Sequence, residues 1–136
     1  MVKNGADGTA FETIIAAGSN SARPHARPGD RTLSEGDLVV CDMGALYKGY
    51  RSDMTRSTRI GGTGTGKPAE MLEVVLEAQK AGLSTVKEGV PNSEVDSACR
   101  KVLQEAGLEE AFTHGTGHGV GLDIHEAPTL LSLIHI

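Results

Sequence analysis

Two neighbouring segments with the composition of β-strands place the strongest constraint on the fold. Residues 38–48 open on the apolar run LVVC, residues 50–60 alternate more visibly between polar and apolar side chains, and Gly49 lies between them. Short segments of this kind on either side of a glycine are typical of two antiparallel strands joined by a tight turn. The sequence therefore predicts a β-hairpin over residues 38–60.

Two aspartates on this hairpin indicate a metal site. Asp42 and Asp53 are symmetric about Tyr47 and Lys48, so a turn there would set them directly opposite each other, about 4.5–5.5 Å apart. Carboxylates that close repel each other, and either protonation of one of them or a cation between them relieves the repulsion. A bound metal ion is the natural cation, whereas a different register would leave Asp53 in solvent.

Histidines are concentrated in the segment THGTGHGVGLDIHE, residues 113–126. His118 and His125 are seven residues apart, His114 precedes His118 by four, and small residues surround all three. Carboxylate oxygens and imidazole nitrogens suit Mn, Co, Zn or Fe, and no thiolate belongs to this set. Together with the aspartate pair, the histidines favour a metal site, with Mn or Co more suitable than a structural zinc. The same segment predicts a strand near residues 120–125.

Two further segments have helical periodicity. Pro68 suits the first turn of one helix, and a pair similar to a capping box, Ser93 and Asp96, predicts the start of a second helix that ends before Gly107. The predicted apolar faces consist of Met71, Leu72, Val75, Leu76, Gln79 and Leu83 in the first helix, and of Val95, Cys99, Val102, Leu103 and Ala106 in the second. With a further strand within residues 9–18, the fold class is α/β (α+β), with antiparallel strands covered by two helices.

Composition limits the partners and the compartment. The 136 residues carry a net charge of -5, which argues against a broad nucleic-acid or anionic-membrane interface and favours small or locally recognised substrates. Cys41 and Cys99 lie far apart in apolar stretches, which predicts buried free thiols and fits the reducing cytoplasm. No run of about 18 apolar residues predicts a membrane span.

Three motifs resemble those of the creatinase and aminopeptidase superfamily, which has the pita-bread fold. They are CDMGALYKGYRSDMTRS (residues 41–57), HGTGHGVGLDIHEAP (residues 114–128) and the shorter SARPHARP (residues 21–28). Within the superfamily, RSDMTRS and GHGVGLDIHE are more similar to the Xaa-Pro dipeptidases and Xaa-Pro aminopeptidases than to the methionine aminopeptidases. Together the motifs span most of the chain.

The resemblance implies a partial pita-bread fold and a proline-specific metallopeptidase. Asp42, Asp53 and His118 would bind two divalent metal ions, with Mn favoured and Co, Zn or Fe as alternatives. The implied reaction is hydrolysis of the peptide bond before proline, in Xaa-Pro dipeptides or at peptide N-termini, by a water activated between the two ions. The implied parent protein is a cytoplasmic homodimer that acts on small peptides with proline at the second position, and neither nucleic acid nor membrane is a partner.

The remaining histidines receive roles toward the substrate from the same resemblance. His125 matches a histidine that contacts the substrate and helps to stabilise the tetrahedral intermediate. His25 matches a loop histidine beside the substrate, so both are expected to be catalytic and substrate-binding. His114 is expected to contact the substrate.

The chain departs from the family pattern at both ends. The family completes its metal site with two glutamates on strands after the HEAP region, and this chain ends about ten residues past His125. The closing LLSLIHI does not resemble the family's continuation. We therefore expect residues 1–129 to be an internal fragment of the pita-bread catalytic domain, inactive alone, and residues 130–136 to be a non-native or truncated tail.

Other functions fit part of the sequence. A methionine aminopeptidase or a catalytically inactive pita-bread binding protein would share the fold. The segment GGTGTGKP, residues 61–68, nearly matches the phosphate-binding loop G-x-x-x-x-G-K-[ST], but Pro68 replaces the hydroxyl residue that binds magnesium. A connector between strand and helix is the better interpretation of that segment.

Overall fold

The computed structural model describes residues 1–62 and 64–132, and they divide into two compact units. The first unit comprises Met1–Ala69 and Val120–Ile124, and the second comprises Glu70–Gly119 and the residues from His125 onward. The strands of both units pair antiparallel, and two long helices accompany them, so the mixed α/β class predicted from the sequence is confirmed.

The first unit holds two small antiparallel sheets. Its strands are β1 (Gly8–Thr9), β2 (Ile14–Ala17), β3 (Leu38–Met43), β4 (Ala45–Tyr47), β5 (Tyr50–Arg51) and β6 (Met54–Arg59). One sheet has the order β2-β3-β6 and the other the order β1-β4-β5. The strand predicted within residues 9–18 is present as β2. Its Ala16 is buried, and so is Val39 of β3, on the opposite face of the sheet.

The predicted hairpin is confirmed, but its register differs from the prediction. The turn is formed by Lys48 and Gly49, which have φ values of 50° and 83°. Positive φ at both central residues is the signature of the type I′ turn that fits the right-handed twist of two strands. Because the turn lies one residue later than predicted, the register shifts by two residues, and Asp42 pairs with Thr55. The prediction that Asp42 and Asp53 are directly opposed is therefore wrong.

Both predicted helices are present, as α1 (Lys67–Thr85) and α2 (Asn92–Glu105). Gly107 has a φ of 68° just beyond α2, a left-handed conformation that often terminates helices. The start of α2 does not use the predicted capping pair, because the N-cap is Pro91 and no side chain caps it. Ser93 lies inside the first turn, and Asp96 is hydrogen-bonded elsewhere.

The buried face of α1 differs from the predicted apolar face. Val75, Leu76 and Leu83 are exposed by 55%, 42% and 67%, while Ala78 and Gly82 are buried. A Cβ atom added at Gly82 would lie 2.5 Å from the Sγ of Cys99, so only small residues of α1 fit this close approach to α2. The predicted face of α2 is correct in its centre. Ala78, Cys99 and Leu103 form the buried cluster, and the partly buried side chains against it are Val74, Val102, Leu108 and Phe112.

A two-stranded ribbon completes the second unit. β7 (Gly117–Gly119) and β8 (Glu126–Leu130) pair antiparallel, and β8 contacts α2. The strand predicted near residues 120–125 is wrong, because those residues form a loop and the strand lies before them. A Cβ atom at Gly119 would overlap the carbonyl oxygen of Ala127, so the glycines that suggested a loop are what lets the two strands approach.

The last residues belong partly to this ribbon. Leu130 ends β8, and Ser132 lies two residues beyond it. Residues 133–136 of the predicted tail lie outside the described residues. Within the described parts of the chain, no helix is both long and apolar enough to cross a membrane.

Candidate metal site

Asp42 is held by its cross-strand partner. It is the second-last residue of β3, it is half-buried, and its Oδ1 accepts a hydrogen bond of 3.0 Å from the Oγ1 of Thr55 on β6. A carboxylate can accept about four hydrogen bonds or metal contacts in total. The single bond from Thr55 therefore orients Asp42 and leaves acceptor positions on the same carboxylate.

Asp53 is a diagonal neighbour of Asp42 on the hairpin. It is exposed and immediately precedes β6, two residues before the Thr55 that pairs with Asp42. Diagonal neighbours on antiparallel strands lie about 7–8 Å apart between their Cα atoms, within reach of each other's side chains. The register therefore places Asp53 two residues from the partner of Asp42, which is a greater separation than the direct opposition predicted from the sequence.

A buried glycine breaks the ladder beside the two aspartates. Gly44 separates β3 from β4, and a Cβ atom there would overlap the backbone carbonyl oxygen of Ser52 and lie 2.7 Å from the Phe11 ring. Ser52 spans the break with two bonds of 2.9 Å, one from its amide N to the Ala45 carbonyl and one from the Ala45 amide N to its Oγ. The backbone on either side of Asp53 is therefore fixed in place.

Arg51 makes backbone contacts beside the two aspartates that the sequence did not predict. Its amide N donates to the carbonyl of Gly121 at 2.8 Å, and its Nε donates to the carbonyl of Leu122 at 3.1 Å. Its Nη1 donates to the carbonyl of Ala10. Arg51 therefore attaches the loop at residues 120–124 to the hairpin that carries Asp42 and Asp53. No local pattern signals this, because the partners are 41 and 71 residues away.

An ion pair orders the connection that leads into β3. Both terminal nitrogens of Arg31 donate to Asp37 at 2.8 Å, and the amide of Ser34 donates to the same carboxylate at 2.9 Å. The hydrogen bonds from Arg31, followed by that from Ser34, lower the pKa of Asp37 from its ordinary 3.8 to about 2. Arg31 is exposed and Asp37 is half-buried, and the pair fixes the path of the chain before β3.

His118 lies at the centre of β7, half-buried and opposite Thr129. Its Nδ1 is 2.9 Å from the carbonyl oxygen of Gly119. A carbonyl oxygen only accepts hydrogen bonds, so Nδ1 carries the proton and the lone pair of the neutral ring is on Nε2. This tautomer is the one in which Nε2 can bind a metal ion.

His125 lies next to His118. The two ring centroids are 4.2 Å apart and the rings are tilted by 59°. The register of β7 and β8 shifts between His118 and Gly119, where Gly119 pairs with Glu126. This irregularity brings the residue just before β8 beside the centre of β7.

The two remaining candidate histidines are exposed. His114 packs edge-on against Phe112, with 4.6 Å between the ring centroids, and its Nδ1 is 2.8 Å from the carbonyl oxygen of Gly115. His25 lies in a turn of the first unit.

The candidate site residues are divided between the two compact units. Asp42 and its diagonal neighbour Asp53 belong to the first unit. The candidate ligand His118 and the candidate substrate residue His125 belong to the second. Over residues 1–62 and 64–132, no group of three or more His, Cys, Asp or Glu side chains is placed to hold a metal ion. The oxygen and imidazole donors fit a divalent transition metal in their chemistry.

Comparison with protein families and curated proteins gives one consistent result. Metallopeptidase family M24 matches residues 1–134. The chain is 48% identical over 128 residues to the Xaa-Pro dipeptidase of Pyrococcus horikoshii, and 48% identical over 130 residues to that of Pyrococcus furiosus. These matches cover 94% and 96% of this chain but 36% and 37% of the relatives. The chain thus spans just over a third of their length.

Solved structures agree with the sequence comparison. The prolidase from Pyrococcus furiosus superposes with a TM-score of 0.92 at 45% identity, covering 97% of this chain and 39% of that one. An X-Pro aminopeptidase from Thermotoga maritima superposes with a TM-score of 0.91 at 41% identity, covering 97% and 37%. The fold is therefore part of the pita-bread fold, as the sequence motifs predicted.

Proposed function

Because the chain belongs to metallopeptidase family M24, we propose that the full-length protein hydrolyses the peptide bond before proline in Xaa-Pro dipeptides or at peptide N-termini. The observation that carries this proposal is the 48% identity to an Xaa-Pro dipeptidase over 94% of the chain. The substrate is thus a small peptide with proline at its second position.

The metal ligands within this chain are Asp42, Asp53 and His118 in this proposal. Their donor set favours Mn, with Co, Zn or Fe as alternatives. The bond from Thr55 to Asp42, and the bond from His118 to the Gly119 carbonyl, are outer contacts of the kind that orient metal-binding side chains. When bound, two divalent ions would polarise the scissile carbonyl and lower the pKa of a water molecule.

Three histidines act on the substrate in this proposal. The ring of His125 is close enough to His118 that a substrate group hydrogen-bonded to His125 would lie beside the metal ligand. His25 and His114 are exposed and can each donate or accept a hydrogen bond to the peptide. Their role is to orient the scissile group, and His125 additionally stabilises the negative charge that develops on the carbonyl oxygen.

A dipeptidase and an aminopeptidase for longer peptides remain two versions of this function. The chain superposes on the prolidase and on the X-Pro aminopeptidase with nearly equal TM-scores, 0.92 and 0.91. We propose that residues 1–136 alone are inactive, because Asp42, Asp53 and His118 are three of the five metal ligands that the family resemblance implies. Free thiols at Cys41 and Cys99 suit a reducing compartment, and we propose a cytoplasmic homodimer for the full-length protein.

The test is a hydrolysis assay on the full-length protein. The protein is stripped of metal with a chelator, Mn²⁺ is restored, and release of the first residue is measured. The substrates are an Xaa-Pro dipeptide, a longer peptide with proline second, the matching Xaa-Ala dipeptide, and a peptide that begins with methionine and lacks proline. We expect Mn²⁺-dependent cleavage of the proline substrates. The ratio of the first two rates separates dipeptidase from aminopeptidase.

Matched variants connect the assay to the proposed ligands. Asp53→Asn keeps the size of the side chain and removes its charge, and we expect it to abolish Mn²⁺-dependent turnover. Glu88→Gln makes the same change on an exposed turn between α1 and α2 and should retain the parent rate. Equal hydrolysis with chelator and with Mn²⁺ would contradict a metallopeptidase, and cleavage confined to the methionine peptide would indicate a methionine aminopeptidase.

A further inference from the structure

Among the described residues, Asp96 is the one charged side chain that is fully buried. It lies on α2 with 0% exposure, between the buried Val95 and the core residue Cys99. A carboxylate in such surroundings costs several kcal/mol unless hydrogen bonds compensate it. The hydrogen-bond partners of Asp96 therefore indicate which parts of the chain it holds in place.

Five donors converge on this one carboxylate. Oδ1 accepts bonds from the amide N and the Oγ1 of Thr116, at 3.1 and 2.7 Å. Oδ2 accepts bonds from the amide N and the Oγ of Ser132, at 2.9 and 2.5 Å, and from the Nε of Arg100 at 2.8 Å. Burial raises the pKa of Asp96, but the bonds from Ser132, Thr116 and Arg100 outweigh it and lower the pKa below its ordinary value.

Arg100 extends the same network to the chain before β7. Its Nη1 donates to the carbonyl of Phe112 at 3.2 Å, and its Nη2 donates to the carbonyl of His114 at 2.7 Å. Its guanidinium also lies over the Phe112 ring, 4.8 Å from the centroid. Asp96 and Arg100 thus bind every second residue of the segment that leads into β7, namely residues 112, 114 and 116.

These contacts act at the open end of the β7–β8 ribbon. The amide of Thr116 is shared between Asp96 and the carbonyl of Leu130 at 3.0 Å, and Gly117 then begins the ladder. His118 follows two residues after Thr116. The rigid helix α2, anchored in the core by Cys99 and Leu103, therefore determines where β7 starts.

We propose that Asp96, with Arg100, is a positioning residue that fixes the backbone of β7 and thereby the orientation and tautomer of the His118 ring. The assignment rests on the proposed function only in naming His118 a metal ligand. Ser132 lies in the segment expected to be a non-native tail, so the bonds to Thr116 and Arg100 are the part of the network that carries the role.

The variant Asp96→Asn could unfold the second unit, because its buried side-chain amide would bring N–H donors to face the donors of Thr116, Ser132 and Arg100. Substitution of Thr116 is a milder test of the same network. Thr116→Val removes only the hydroxyl donor to Asp96 and keeps the shape of the side chain. Thr116→Ser keeps the donor and serves as the rescue. Glu94→Gln, an exposed carboxylate on the first turn of α2, controls for charge when Asp96→Asn is also made.

Two readouts in the full-length protein separate positioning from general stability. The first is amide hydrogen exchange at Gly117 and His118 compared with Cys99 and Leu103 in α2. The second is the ¹⁵N spectrum of the His118 ring, in which the protonated and unprotonated nitrogens have different shifts. Neither readout requires a metal ion or turnover.

We expect Thr116→Val to accelerate exchange at Gly117 and His118 by about tenfold, as for loss of one hydrogen bond to a charged group. Exchange at Cys99 and Leu103 should change by less than about twofold, because their bonds are internal to α2. The His118 ring should lose its single Nδ1–H tautomer, and Thr116→Ser should restore both signals. Asp96→Asn should have the same local effect in larger measure, and Glu94→Gln none.

Two outcomes would overturn the positioning role. One is unchanged exchange and an unchanged tautomer of His118 in Thr116→Val. The other is equal acceleration at His118 and Leu103, which would make the network a general stabiliser of the second unit. A protein that passes this test and yet shows no Mn²⁺-dependent peptidase activity would refute the proposed function alone.

Discussion

Gly44→Ala adds a single methyl group, and we expect it to destabilise the hairpin that carries Asp42 and Asp53. Gly44 is buried at the break between β3 and β4, where an added Cβ atom would overlap the Ser52 carbonyl oxygen, lie 2.7 Å from the Phe11 ring and lie 3.0 Å from the Ala10 Cβ. The nearest of these atoms is backbone, so no side-chain rotation can relieve the clash. The two strands must separate on the side where Asp53 precedes β6.

The size of the effect follows from the contacts that separate. Forcing an extra methyl group into a packed position costs about 1–3 kcal/mol. Separation also strains the two 2.9 Å bonds between Ala45 and Ser52, each of which contributes about 0.5–1.5 kcal/mol. Partial loss of both brings the expected decrease in the free energy of unfolding to about 2–4 kcal/mol.

Urea unfolding of the chain, followed by circular dichroism, measures this decrease. Gly8→Ala is the matched control, since Gly8 lies in β1, has no heavy atom within 4 Å of the added Cβ, and does not have positive φ. It should change the free energy of unfolding by less than about 0.5 kcal/mol. If Gly44→Ala were as stable as Gly8→Ala, the close approach of the strands beside the aspartates would not exist as described.

Two further changes test the core and the connection before β3. Leu103→Ala, at a residue with 6% exposure, should lower the free energy of unfolding by about 2–5 kcal/mol, whereas Leu83→Ala, at a residue with 67% exposure, should have little effect; equal costs would contradict the assigned core. Because the pKa of Asp37 is lowered to about 2, its pair with Arg31 should stabilise the fold above about pH 4 and lose that contribution as pH falls through about 2. A carboxyl ¹³C titration with a midpoint near the ordinary 3.8 would refute this pair.

Local patterns predicted the elements of this fold better than their exact pairing. The hairpin followed from apolar alternation around Gly49, and both helices followed from their periodicity. The register was missed because the symmetry of Asp42 and Asp53 placed the turn at Tyr47 and Lys48, whereas the positive backbone φ angles of Lys48 and Gly49 place it one residue later. A one-residue shift of the turn moved the partner of Asp42 from Asp53 to Thr55.

Contacts between distant residues were beyond the reach of those patterns. Ser93 and Asp96 have the spacing of a capping box, yet the oxygens of Asp96 are bonded to Thr116, 20 residues away, and nothing near Asp96 signals it. The apolar face predicted for α1 is wrong at Leu83, because hydrophobicity favours burial of Leu83, whereas the close approach of Cys99 requires the small Gly82. The candidate ligands were identified from motifs, since their types are visible in sequence while their distances are not.

Manganese binding to the full-length protein tests the central claim most directly. The number of bound Mn²⁺ ions and their affinity are measured by electron paramagnetic resonance for the parent, Asp42→Asn, Asp53→Asn, His118→Gln and the control Glu88→Gln. We expect two ions for the parent and the control, and loss or strong weakening of at least one ion in each of the three ligand variants. Unchanged occupancy and affinity in all three would contradict the assignment of Asp42, Asp53 and His118 as metal ligands.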